Sequence, residues 1–132
     1  MKPLLFVIML FCHIVDDFYF QPGMLSKLKQ KSWWEENAND KKYKNDYLIA
    51  LYIHGFSWSF MVHLPLLVYA LLGNVNLDVF NTFYPISLGM HTFVHAAIDD
   101  QKANYKTINL ITDQIIHFFQ MIVIFGMFLG IS

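Results

Sequence analysis

The sequence predicts an all-α fold: a membrane-embedded bundle of about four transmembrane helices, with a short interfacial segment between helices 1 and 2. Three observations predict it. The 132 residues are 56% hydrophobic and only 14% charged, whereas about a quarter of the residues of an ordinary soluble domain are charged. Four apolar runs each approach the ~20 residues that a helix needs to cross a bilayer. All six histidines lie inside those runs and none in the connecting loops.

The first run, residues 3–20, starts after Lys2 and ends at Pro22-Gly23, a helix-stopping pair. It resembles a signal peptide at its start. However, it lacks a small-x-small cleavage site and runs on into His13 and Asp17, so it is expected to be a retained span. The second run, residues 47–72, is the longest, carries Pro65 as a potential kink and is closed by Gly73-Asn74. The third, residues 79–98, is weakened at one end by Asn81, Thr82 and Pro85. The fourth, residues 108–131, is strongly apolar after His117. A chain of this length makes one domain, residues 1–132, with no room for a separate soluble domain.

Between the first two runs lies the one sizeable polar segment, residues 24–46. It holds Lys27, Lys29, Lys31, Lys41, Lys42 and Lys44 beside Trp33, Trp34, Glu35 and Glu36. Met24, Leu25, Leu28 and the tryptophans suit a short interfacial helix whose lysines extend to lipid phosphates. The first and third loops hold eight of the nine lysines, counting Lys102 and Lys106. The positive-inside rule therefore puts both loops in the cytoplasm and both termini outside. Lysine without any arginine, with frequent Asn, Ile and Phe, points to an AT-rich genome of a bacterium or its phage, and so to a bacterial inner membrane.

The net charge of -1 gives no basis for a nucleic-acid partner. The single cysteine, Cys12, excludes an intrachain disulfide or a thiolate zinc knuckle. What stands out is a set of ionisable groups in hydrocarbon, where each costs several kcal/mol unless paired or wetted and is by default functional. His13 and Asp17, His95 and Asp99, and Asp113 and His117 are each four residues apart. Each pair therefore shares one helix face. Counted inward from the cytoplasmic ends at ~1.5 Å per residue, these pairs and His54 fall in one layer ~5 to 14 Å deep. His63 lies far outside it, at ~24 Å, and reads as a hydrogen-bonded or outer-interface histidine. His91, one turn deeper than His95, joins the layer or merely packs. Asp16 and Asp100 are expected at the rim or in solvent.

Imidazoles and carboxylates without a thiolate make a nitrogen/oxygen site suited to Zn²⁺, Mn²⁺ or Fe²⁺, with enough groups for two ions. The expected ligands are His13, Asp17, His54, His95, Asp99, Asp113 and His117. His91, Gln21 and Gln114 are additional candidates, and some of the acids suit a role in fixing a histidine's tautomer. An ion with an open position there would activate water close to lipid headgroups. That points to a metal-dependent hydrolase of a lipid or lipid-linked phosphoester, with the lipid bilayer itself as the first partner.

The same residues resemble the domain of unknown function 3307 family of small bacterial and phage membrane proteins. Its pattern is met by His13, Asp17 and Gln21 in HIVDDFYFQ, His54 in LYIHGF, His95, Asp99 and Lys102 in HAAIDDQK, and Asp113, Gln114 and His117 in DQIIH. The resemblance runs in order along nearly the whole chain. It implies a small polytopic membrane protein and no established activity.

Three other functions compete. A proton or metal-ion carrier would need polar groups through the full depth, and the outer half is nearly apolar. A haem protein would use two histidines and leave the paired aspartates idle. A non-catalytic phage or host membrane factor would need no buried cluster. Four short helices are also few to enclose a cavity, so a homo-oligomer is a further expectation.

Overall fold

In the computed structural model, residues 2–21, 23–38 and 40–132 are described, and every regular element among them is helical. Helix α1 spans Lys2–Val15 and continues as a π-helical turn, Asp16–Phe20. Two short helices follow, α2 at Met24–Leu28 and α3 at Lys31–Asn37, then a single 3₁₀ turn at Lys41–Tyr43. The long helices α4 (Asp46–Tyr69) and α5 (Leu77–Asp100) each end in a further π-helical turn, Ala70–Asn74 and Gln101–Tyr105. Helix α6 covers Leu110–Leu129.

Local chemistry sets these boundaries. Pro22 lies outside the described residues, but Gly23 has φ 94°, which an L side chain resists, and it turns the chain from α1 into α2. Gly73, at φ 79°, does the same after α4. The Asn76 side chain caps α5 by accepting from the Asp78 and Val79 N–H groups at 2.9 and 3.3 Å. Asn109 caps α6 through the Thr112 N–H at 2.9 Å. Helix α4 runs through Pro65 and α5 through Pro85.

Three stretches, Lys2–Phe20, Lys41–Asn74 and Leu110–Leu129, are long and apolar enough to cross a membrane. Helix α5 has the length, at 24 residues, but not the apolarity. Its polar residues Ser87, His91, Thr92, His95 and Asp99 are buried against its neighbours. Past Asp78, Asn81 and Thr82, which are exposed near its start, the residues it turns outward are mostly apolar, among them Ile86, Met90, Phe93 and Val94. The same inversion holds throughout. Phe11, Phe56, Phe119 and Ile111 stand exposed, while among the described residues buried polar side chains are as numerous as buried apolar ones. That is the reverse of a water-soluble fold and suits a hydrocarbon solvent.

One end of the bundle is filled by Leu5, Met9, Val62, Leu66, Ala70, Phe80, Ile124 and Phe128. The other end carries α2, α3 and the α5–α6 connection, and it holds the ionisable groups. The expected interfacial helix is thus two short helices, pinned by the Trp34 Nε1–H to the Leu28 carbonyl at 2.8 Å and by stacking of Trp34 on Tyr43. Gly55 brings α4 against α5: a Cβ there would stand 2.7 Å from the Thr92 carbonyl oxygen and 3.3 Å from the Ala96 Cβ. This close approach puts His54 next to His95.

Candidate metal centre

Four helices each contribute to one buried layer. The π-helical turn that ends α1 holds both Asp16 and Asp17, which are 1% and 9% exposed. Wide turns of this kind recur at functional sites because they re-aim side chains that a regular helix would direct elsewhere. Asp16 is therefore not at the rim: it accepts from the Ser57 hydroxyl at 2.5 Å and lies 3.6 Å from His54 Nδ1. Asp100 is only half-buried and accepts from Asn104 at 2.6 Å.

The centre itself forms around His95. His95 Nε2 lies 3.1 Å from His54 Nε2, and His54 Nε2 lies 3.4 Å from Asp17 Oδ1. On the other side, Asp99 Oδ1 is 3.8 Å from His95 Nε2 and 3.5 Å from His117 Nε2. Asp113 Oδ1 is 3.3 Å from His117 Nε2. Two triads result, Asp17–His54–His95 and His95–Asp99–His117, each with ligand atoms within 4.8 Å of one another.

Most of these separations are too long for hydrogen bonds. Two atoms held at zinc-ligand distance by one tetrahedral ion stand ~3.3 Å apart, and separations within the triads, from 3.1 to 4.0 Å, bracket that value. The unused atoms agree. Asp17 Oδ1, Asp99 Oδ1, Asp113 Oδ1 and His117 Nε2 are buried without a hydrogen-bond partner. A buried lone pair left idle costs about 1–3 kcal/mol, and cations in the two groups would engage Asp17 in one and Asp99 and His117 in the other. Charge is compatible with the same reading. Four buried carboxylates (Asp16, Asp17, Asp99, Asp113) face two ammonium groups, Lys29 and Lys102. If every imidazole is neutral, two negative charges remain, and either an imidazolium or a divalent ion would offset them.

His13, Gln21 and Gln114 occupy different places. The Trp58 N–H donates to His13 Nδ1 at 2.6 Å, so His13 Nε2 carries the proton and donates to Gln114 Oε1 at 3.1 Å. The Gln114 amide then donates to Asp17 Oδ2 at 3.0 Å and Asp113 Oδ2 at 3.1 Å. With both ring nitrogens engaged, His13 orients the acids rather than offering a lone pair. The Gln21 amide nitrogen is 2.5 Å from His54 Nε2. His91 lies away from the layer, its ring 5.9 Å from that of His63, and both its nitrogens lack partners. His63 is the hydrogen-bonded histidine expected, with Nδ1 2.7 Å from the Ser59 carbonyl and Nε2 2.8 Å from the Ser87 hydroxyl.

Sequence reasoning missed two members. Trp58 stacks on His95 at 4.3 Å, and His95 stacks on His117 at 4.0 Å. Trp58 thus walls the centre off from the apolar core, and its position four residues after His54 places it on the same helix face. Lys29 was expected to extend to lipid phosphates. Instead it is 4% exposed and donates to Asp99 Oδ2 at 2.5 Å, because the chain leaving α2 turns it toward a carboxylate that is otherwise buried. No spacing signal pointed to it. Lys102 donates to Asp113 Oδ2 at 2.6 Å and lies 3.7 Å from Asp99 Oδ1.

Fold and site together define a helical bundle with membrane-spanning character and a buried His/Asp layer at one end. The chain belongs to the family described as a protein of unknown function (DUF3307), which it matches over residues 5–132. No curated protein and no solved structure matches it.

Proposed function

We propose that the protein is an integral membrane metalloprotein whose buried layer binds one or two divalent ions (Zn²⁺, Mn²⁺ or Fe²⁺) near the cytoplasmic face. Its reaction is hydrolysis of a lipid or lipid-linked phosphoester. The observation that carries the reading is the pair of triads sharing His95, with idle carboxylate oxygens turned toward the imidazoles.

His54, His95, Asp17, Asp99 and His117 would hold the ions, with Asp113 completing the second group. An ion held there acidifies water and polarises a phosphoryl oxygen. The chain's own contribution is orientation and dryness. The relay from Trp58 through His13 to Gln114 sets Asp17 and Asp113, and the Trp58 ring excludes water from the apolar side. The lysine-rich end that carries α2 and α3 is the cytoplasmic end by the positive-inside rule, so the layer lies beneath lipid headgroups.

A carrier of protons or metal ions is the second reading, favoured by the unpartnered His91 nitrogens and Gln120 Oε1 deeper in the bundle. Beyond them Leu66, Ala70, Phe80 and Phe128 fill the interior, which weighs against a through-path. Elemental analysis of detergent-purified protein tests the main reading. Wild type should carry stoichiometric zinc, manganese or iron, and His95→Ala should carry none. A wild type that stays metal-free after reconstitution with each ion sinks it. Metal-loaded protein should then release product from a panel of lipid phosphoesters, and His95→Ala should not.

A further inference from the structure

The two lysines of the centre are not accounted for by ion binding. Lys29 comes from the strap between α2 and α3, outside the bundle proper, yet its ammonium is buried on Asp99. Lys102 approaches the same carboxylate from the π-helical turn after α5, 3.7 Å from Asp99 Oδ1, while donating to Asp113. Two cations from separate elements therefore flank one candidate ligand. Buried ion pairs seldom stabilise a fold beyond what an apolar pair would give, so packing alone is a poor reason for the arrangement.

The strap is also held in register. The Lys31 N–H donates to Asn104 Oδ1 at 2.7 Å, and Asn104 Nδ2 donates to the Lys29 carbonyl at 3.0 Å and to Asp100 Oδ1 at 2.6 Å. One side chain on the α5 turn thus grips the backbone on both sides of Gln30 and fixes where Lys29 enters. This is also the more exposed side of the layer. Gln21, Lys102, Asn104 and Gln114 are each partly exposed, whereas His54, His95 and His117 are sealed.

We propose that Lys29 and Lys102 form a two-ammonium clamp for the phosphate oxygens of the ligand, on the more exposed side of the metal centre, and that Asn104 is the residue that positions Lys29. The inference rests on the metal-centre reading. Once Asp99 and Asp113 turn their charge to ions, both ammonium groups have donors to spare. An ammonium carries three donors, and Lys29 spends one on a protein acceptor among the described residues. Filling both triads with divalent ions would swing the balance from two negative charges to two positive ones, and a phosphate fits that surplus. The phosphate belongs either to a lipid headgroup or to a soluble anion.

The test measures inorganic phosphate binding to the full chain in detergent, loaded with zinc or manganese, beside metal stoichiometry on the same samples. Lys29→Gln and Lys102→Gln should each weaken phosphate binding ~10-fold or more, since each removes a charge-assisted contact, while retaining metal. Lys29→Arg keeps the charge and should therefore retain more phosphate affinity than Lys29→Gln. Asn104→Ala should lose affinity without losing metal. If Lys29→Gln does not fold, Lys29→Arg and Lys102→Gln still decide the matter. The clamp is wrong if wild type binds no phosphate with or without metal, or if both glutamine variants bind it like wild type. Lysine-dependent phosphate binding by a protein that takes up no metal would keep the clamp and remove the metal reading. Nanodiscs of phosphatidylcholine with and without phosphatidic acid separate the sources: competition by phosphatidic acid assigns a lipid phosphate, and its absence a soluble one.

Discussion

His95 is the residue shared by both triads, and it has no exposed surface. Replacing it should empty the whole centre, whereas replacing His63 should not touch it. His63→Ala removes bonds to Ser59 and Ser87 and leaves their partner groups buried. A loss of about 1–3 kcal/mol in stability with unchanged metal content is expected, read by thermal unfolding beside elemental analysis. Metal loss in that variant would mean that the two histidine clusters are coupled. Trp58→Phe isolates another single contact. It keeps the ring on His95 but deletes the donor to His13 Nδ1, so His13 is free to change tautomer and Gln114 loses its fixed direction. Weaker metal binding is expected, with a fold that still assembles. Wild-type affinity in Trp58→Phe would show that the relay does not set the acids.

At the scale of the element, the contact that matters most is α4 against α5 at Gly55. A methyl group there meets the Thr92 backbone carbonyl, which cannot swing away as a flexible side chain would. Gly55→Ala should therefore cost about 1–3 kcal/mol, as overpacking does, and lower metal affinity by separating His54 from His95. Gly89→Ala serves as its control. Nothing lies within 4 Å of the added carbon, and glycine inside a helix is worth roughly 0.5–1 kcal/mol less than alanine. Denaturation in mild detergent should show opposite signs for the two. Equal effects would mean that the α4–α5 approach is not tight in the membrane.

The elements were legible in the sequence because apolar runs and their breakers are local. The runs at 3–20, 47–72, 79–98 and 108–131 coincide as helices with α1 and its turn, α4, α5 and α6 to within a few residues, although α5 falls short of a span's apolarity. The i,i+4 pairs were legible for the same reason, since helical periodicity alone puts His95 and Asp99 on one face. The π-helical turn at Asp16–Phe20 was not. Nothing in the residue pattern marks the extra winding that buries Asp16 beside Asp17, and a regular helix would have sent Asp16 to the rim. Helix α4 is apolar nearly all round, so its sequence named His54 without saying which way the ring would point.

At the scale of the whole molecule, the end of the bundle that holds the His/Asp layer has its polar side chains buried and apolar ones exposed, so an ion bound there would be part of the fold's charge balance. Removing it should leave carboxylate charge less well compensated in a low-dielectric interior. Chelation is therefore expected to lower the unfolding temperature, and zinc or manganese to restore it. An ion present at 100 times its dissociation constant contributes about 2.7 kcal/mol. An unfolding temperature that chelator leaves unchanged, in protein shown to contain metal, would contradict this. Sidedness belongs to this scale too. Cysteines introduced at Lys41 or Lys106 should react with impermeant reagents only from the cytoplasmic side, and labelling from the other side would invert the proposed topology.

The sequence by itself determined the helices, the apolar exterior and the identity of most groups in the layer, because each depends on residue type and short-range spacing. Only the tertiary structure decided which of those groups meet. That depends on rigid-body packing set by Gly55 and on π-helical turns that re-aim the acids. It depends also on a strap that carries Lys29 some 70 residues along the chain to Asp99. Contacts at such separations leave no periodic trace in the sequence, since the free energy that selects them is shared among four helices rather than written in any one.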